Sequence, residues 1–277
     1  MSQPVTVPPA AALQPFIVGY ADVFVPLPPD QRYAARIIPI GCPAIVLFHE
    51  GQIRITDGPA ANQIAPPAGF VGQLTRSGGN EYTGTIRGFI VQLTPAGAYD
   101  LLRCEVSRYQ NATVPLHQAL GAPMADGIAR QLRPDLDFAG CCAAADAFFL
   151  HQLAKQQATL GLGGQAAALL MRSQGQLEVE DVALQLEVSV RTLLRRFSRE
   201  VGMPPKTFAR LVRFRAAHAY LQEPDATWAD AVLRFGYTDQ SHLIRDYRDF
   251  AGETPRQYQT DGRVLDRIFR TQSSTRS

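Results

Sequence analysis

The sequence predicts an α+β fold: a small N-terminal β-barrel backed by a helical segment, followed by an all-α part. Three observations point to it. Over the first 115 residues, short β-branched apolar runs alternate with glycine and proline breaks. From about Pro123, apolar residues recur at helical spacing. Near the middle, Gly161-Leu162-Gly163-Gly164 places three glycines in four residues, a composition unfavourable to helix.

Ile37-Ile38-Pro39-Ile40 and Ala44-Ile45-Val46-Leu47-Phe48 are apolar runs of strand length. Ile53-Arg54-Ile55-Thr56 alternates until Asp57-Gly58-Pro59 breaks it, and Thr83 to Leu93 alternates around Gly84 and Gly88. Many short strands with such punctuation suit a small barrel or sandwich. Ile128, Leu132, Phe138, Ala145, Phe149 and Leu153 then follow a period near 3.6, interrupted at Pro134. Phe138, Phe148, Phe149, Leu150 and Leu153 are expected to seal the barrel, with a dimer seam as the second reading. The glycine cluster is expected to be a linker. That gives a β-rich domain with a helical end over 1–160, a helical domain over 166–262 and a tail over 263–277, disordered from Thr271 to Ser277.

At 277 residues, two domains are the natural expectation. A hydrophobic fraction of 46% and a charged fraction of 19% exclude disordered and fibrous classes. No apolar run approaches the ~18 residues of a membrane helix, and Met1 to Pro15 lacks the basic residues of a secretory signal. Cytoplasmic residence without a membrane partner is therefore expected. Cys42, Cys104, Cys141 and Cys142 form no C-x-x-C pair and are read as small buried hydrophobes. The alternative is a reactive sensor thiol, for which Arg103 beside Cys104 is the single hint.

Overall charge is +2, but it is uneven. Ser189 to Arg215 holds eight basic residues (Arg191, Arg195, Arg196, Arg199, Lys206, Arg210, Arg213, Arg215) and one acid, Glu200. Such a run suits a polyanion or a solvated helical face. The pattern around it decides for nucleic acid. In Glu180 to Ser198, Val182, Ala183 and Leu186 form one side of a short support helix. Ser189 can cap a second helix packed through Val190, Leu193, Leu194 and Phe197. Gly202 ends that helix and Pro204-Pro205 opens the next. In Thr227 to Arg248, Trp228, Ala231, Val232 and Phe235 repeat the support face. Gly236 supplies a turn, and Thr238 or Asp239 caps a helix with Leu243 and Tyr247 inward. Lys206 to Leu221 reads as one helix of about 16 residues, ~24 Å long, able to hold two reading helices on successive major-groove segments.

Val188-Ser189-Val190-Arg191-Thr192-Leu193-Leu194-Arg195-Arg196-Phe197, the Gly202-Met203-Pro204 step and Arg213-Phe214-Arg215-Ala216-Ala217 resemble the AraC/XylS regulators. So do the stretch from Phe235-Gly236-Tyr237 to Arg245 and Gly252-Glu253-Thr254-Pro255. The resemblance covers about 166–260 and implies double-stranded DNA as partner. It places base-edge readers at Arg191, Arg195, Gln240, Ser241 and Arg245, and phosphate contacts at Ser189, Thr192, Arg196, His242 and Arg248. Glu187 stands where the family keeps glycine, so a strained turn is expected. Leu194 and Ile244 stand where many members carry polar readers and are expected to pack.

The N-terminal half resembles the cupin-like sensor domain of these regulators, through Arg36 to Val46, Gly69-Phe70-Val71-Gly72-Gln73 and Gly88 to Leu93 with Pro95. The resemblance implies an effector-responsive regulator, more an activator than a repressor. A small-molecule effector, RNA polymerase and a second copy of the chain are further candidate partners. No cofactor, metal or catalytic site is expected. His49, His117 and His151 stand far apart without an H-x-H, and no P-loop or G-x-S-x-G occurs.

Overall fold

The computed structural model describes residues 6–28, 30–58 and 60–255. Its N-terminal half holds strands β1 (Thr6–Val7), β2 (Ile17–Val25), β3 (Arg32–Ile37), β4 (Ala44–Ile55), β5 (Ala68–Val71), β6 (Gly78–Leu93) and β7 (Thr113–Pro115). All pairings are antiparallel, in the order β1-β2-β6-β4-β5-β7, with β3 also on β6. The 16-residue β6 is the spine: its first half pairs with β3 and β4, its second half with β2 and β4.

Apolar residues fill both faces of the sheet, which explains the unbroken run Ala44 to Phe48. Alternate residues point to opposite faces. Ile45, Leu47, Phe89 and Val91 join a core with helices α1 (Gly97–Leu102), α2 (Leu116–Leu120), α3 (Ala122–Gln131) and α4 (Phe138–Gln156). Ala44, Val46 and Ile90 join the opposite core with Val23, Ile53 and Tyr82. Phe149 is wholly buried, and Phe138 lies 6.0 Å from the Phe89 ring, so α4 closes one face of the sheet. The other face curls round a cavity of about 160 Å³ lined by Val23, Ile38, Cys42, Val46 and Ile90, among others.

The C-terminal half is helical: α5 (Leu162–Arg172), α6 (Val179–Gln185), α7 (Val190–Val201), α8 (Pro205–Tyr220), α9 (Trp228–Arg234) and α10 (Gln240–Ala251). The glycine cluster is not the expected free linker. Gly161 caps α5, and Gly163 and Gly164 sit buried in its first turn. Close packing overrides their low helix propensity. A Cβ on Gly163 would lie 2.7 Å from the Glu200 carboxylate, and one on Gly164 2.4 Å from the Leu160 side chain.

The two halves pack directly. Ile38 and Ala96 belong to the same apolar core as Phe197, Phe208, Leu211 and Phe214. Gln73 Nε2 donates to the Gly41 carbonyl at 2.9 Å, holding the turn against which Phe208 rests. Gln110 Nε2 donates to the Gly202 carbonyl at 2.8 Å, so the end of α7 is tied to the first half.

Candidate nucleic-acid interface

Residues 179–202 and 228–252 build one unit twice. Each has a short support helix, a turn through a left-handed residue, and a 12-residue second helix: α6 and α7 in the first, α9 and α10 in the second. Ser189 Oγ caps α7 by accepting from Thr192 N at 3.2 Å, and Asp239 Oδ1 caps α10 by accepting from His242 N at 2.7 Å. Both helices end on left-handed glycines, Gly202 at φ +91° and Gly252 at φ +72°. From cap to cap the offset is constant at 50 residues, pairing Leu193 with Leu243, Arg195 with Arg245 and Phe197 with Tyr247.

Leu193, Phe197 and Val201 are fully buried in α7, as are Leu243, Tyr247 and Phe250 in α10. Each such side chain contributes roughly 1.5–3 kcal/mol by burial, which fixes the roll of both helices and turns the opposite faces outward. Arg191 and Arg195 are exposed on α7, and Gln240, Ser241, Arg245 and Arg248 on α10. All five residues that the resemblance assigns to base edges therefore lie on the two outward faces.

The phosphate candidates are more engaged. Ser189 also donates its hydroxyl to Thr192 Oγ1 at 2.9 Å. His242 is half-buried with its ring 5.1 Å from Tyr237. Arg196 Nε lies 2.7 Å from Glu200 Oε1, an i,i+4 pair on α7 whose acid is wholly buried. Leu194 departs from expectation: instead of packing it is 42% exposed beside Arg195, because its position falls outside the stripe of Leu193, Phe197 and Val201. Ile244 is half-buried. The expected strain at Glu187 is present, at φ +53°, where the second turn has Gly236 at φ +66°.

Not all of the basic run faces outward. Arg210 on α8 binds Asp246 and Asp249 of α10, locking the connecting helix to the second reader. Arg213 donates to the Gly175 and Gly236 carbonyls. Partners 36 and 39 residues away gave no local signal for Arg210, whereas the Arg196–Glu200 spacing could have been read. Arg191, Arg195, Arg199 and Lys206 remain exposed, a smaller but still cationic surface.

Among the described residues, no group of three or more His, Cys, Asp or Glu could hold a metal, and no helix is long and apolar enough to cross a membrane. All four cysteines are unpaired.

Two outward-facing helices on a duplicated, rigidly joined scaffold define a double helix-turn-helix protein. Residues 182–261 match a family described as a helix-turn-helix domain, and residues 5–115 match one described as a domain of unknown function. The HTH-type transcriptional regulator VirS of Mycobacterium tuberculosis is 37% identical over 93 residues, covering 34% of this chain and 27% of that protein. The HTH-type transcriptional activator RhaS of Klebsiella pneumoniae is 31% identical over 77 residues, 28% of each chain. The chain thus spans little more than a quarter of the curated relatives it matches. The crystal structure of ToxT from Vibrio cholerae aligns with 86% of this chain and 96% of its own, at a TM-score of 0.48 and 9% identity. The chain carries a helix-turn-helix domain, and that part of it is similar to HTH-type transcriptional regulators.

Proposed function

We propose that the protein is a sequence-specific transcription regulator that binds double-stranded DNA through α7 and α10 in successive major-groove segments. One observation carries the reading: the 50-residue repeat places Arg195 and Arg245 at the same point of two capped, outward-facing helices. Arg191 and Arg195 read the first half-site, and Gln240, Ser241 and Arg245 the second. Arginine can bridge guanine O6 and N7, and glutamine can pair with adenine N6 and N7. Thr192 and Arg248 join Ser189, Arg196 and His242 as backbone contacts that set register.

The division at 1–160 and 166–262 separates a regulatory part from the DNA-binding part. A small, mostly apolar effector enters the cavity of the first part, whose wall residue Ile38 also packs in the core of the second. Movement of that wall would then reach the reading helices without a hinge. Activation, with RNA polymerase and a second copy of the chain as protein partners and the cytoplasm as setting, completes the proposal. That one similar protein is named an activator supports the direction.

The test starts from duplexes selected out of random DNA by the full chain. Arg195→Ala and Arg245→Ala should each lose ~1–3 kcal/mol on the selected site and relax the base preference there. Unchanged affinity and preference in both variants would overturn the reading. A metabolite panel added to the same selection tests the effector.

A further inference from the structure

Arg199 lies four residues beyond Arg195 and eight beyond Arg191, on the outward face of α7. Unlike those two, it is gripped by the other half of the molecule. Its Nη2 donates to the hydroxyl of Tyr99 in α1, and its guanidinium carbon lies 5.2 Å from the centroid of that ring. Tyr99 also lines a shallow surface depression with Arg103, Glu105, Arg108, Tyr109 and Gln118. Glu105 pairs with Arg108, and Arg103 donates to the Gln156 carbonyl at 3.1 Å. The seam's surface thus carries three exposed arginines beside one half-buried acid, Glu105, with the buried carboxylates of Asp100 and Glu200 beneath it. A guanidinium carries five N–H donors, and the contacts at Arg199 engage only part of them.

A 12-residue helix is ~18 Å long, while the major groove it enters is ~12 Å wide. With Arg191 and Arg195 on base edges, the last turn of α7 reaches the groove's margin, where the nearest acceptors are phosphate oxygens. We propose that Arg199 contacts a DNA phosphate at that margin of the first half-site, and that Tyr99 is the positioning residue through which the N-terminal half holds it there. The inference rests on the DNA-binding reading above and deepens it, because part of the affinity then depends on the placement of the regulatory half. The second unit has no equivalent. The counterpart of Arg199 is Asp249, which pairs with Arg210.

The full chain and its selected duplex supply the test, with affinity measured from 50 to 200 mM salt for wild type, Arg199→Ala, Arg199→Lys, Tyr99→Phe and the Tyr99→Phe/Arg199→Ala double variant. One phosphate contact contributes about 0.9 to the slope of log affinity against log salt. Arg199→Ala should therefore flatten the slope by about 0.9, so that its affinity falls about 3.5-fold less than wild type over this range. It should weaken cognate and single-base-altered sites alike, since a phosphate carries no sequence information. Arg199→Lys should keep the slope. Tyr99→Phe should weaken binding in the wild-type background and add nothing to Arg199→Ala. An unchanged slope in Arg199→Ala, or an equal cost of Tyr99→Phe in both backgrounds, overturns this contact alone. A wild-type chain that selects no duplex overturns the DNA-binding reading and this contact with it.

Discussion

Asp100 of α1 and Glu200 of α7 close on the same helix start. Asp100 Oδ2 accepts from Gly161 N at 3.1 Å, and Glu200 Oε2 accepts from Gly163 N at 2.6 Å, so α5 begins between one carboxylate from each half of the molecule. Both acids are buried, at 2% and 0% exposure. The unpaired amides and partial positive charge of a helix start favour this arrangement. Two carboxylates so near each other oppose it.

The balance shows at Asp100, whose pKa is pushed up to about 6, first by burial and then by the Glu200 charge; Gly161 N, Arg103 and Arg196 pull the other way. A carboxyl with a folded pKa above its unfolded value binds protons more tightly when folded. Its contribution to stability therefore grows as pH falls from about 7 to about 4. Asp100→Asn keeps an oxygen for Gly161 N and removes the charge. It should stabilise the protein at pH 7 by up to about 3 kcal/mol, with the gain shrinking to about 0.5 kcal/mol near pH 4. Denaturant unfolding of both proteins across pH 4–8 checks this; a gain that does not depend on pH would refute the electrostatic cause.

Arg210 should behave unlike its neighbours in the basic run. Asp246 is 1% exposed, and Tyr237 Oη donates to its Oδ2 at 3.1 Å, while Arg210 supplies the opposite charge. Removing one partner of a buried pair leaves an uncompensated charge and costs ~3–5 kcal/mol. Arg210 is 35% exposed, so the lower end, about 3 kcal/mol, is expected for Arg210→Ala. Arg191→Ala, at an exposed site, should stay within ~0.5 kcal/mol. Thermal unfolding without DNA separates the two, and equal losses would mean that the pairing with α10 is not what holds this half together.

The features legible in the sequence were local ones. Ser189, Gly202, Gly236 and Gly252 each act within a few residues of chain, and the Leu193/Phe197 spacing sets the roll of α7 by itself. The unexpected features depend on distant partners. Asp100 and Glu200 are 100 residues apart in sequence, Tyr99 and Arg199 likewise, and Arg210 meets Asp246 across two helices. Gly161 to Gly164 misled for the same reason: low helix propensity was visible, but the Glu200 carboxylate and Leu160 side chain that require the absence of a Cβ were not. Strand β2 passed without a signal because Ile17 and Tyr20 join one core, Ala21, Val23 and Val25 the other, and Phe24 is apolar although exposed, so the sequence shows no apolar–polar alternation.

The thiols should be slow. Burial pushes Cys42 up to about 11, Cys104 to about 12 and Cys142 to about 11, and raises Cys141 as well, with Asp22 adding to it. The Arg215 charge near Cys42 opposes the shift without cancelling it. At pH 7.5 a pKa of about 11 leaves roughly three thiolates in ten thousand, against about one in ten for an ordinary thiol near 8.5. Native protein mixed with an aromatic disulfide reagent at pH 7.5 should therefore react far more slowly than protein unfolded in guanidinium. One fast-reacting thiol in the native protein would revive the thiol-sensor alternative.

Glu187 and Gly236 occupy the same turn of the two units, both left-handed, yet only the second has the residue suited to it. An L side chain in this conformation costs roughly 1–2 kcal/mol, while glycine gives back about 0.5–1 kcal/mol through its freer unfolded chain. Glu187→Gly should therefore stabilise the protein by up to about 1 kcal/mol without moving α7, because Glu187 is exposed. Gly236→Ala should do the reverse by a similar amount. A Cβ there would approach Gln176 Oε1 to 3.2 Å, a contact that a side-chain rotation relieves, so backbone strain dominates. Chemical denaturation of the two variants reads both signs. If Glu187→Gly destabilises, the glutamate makes a contact that offsets its backbone cost, and the two turns are not energetically equivalent.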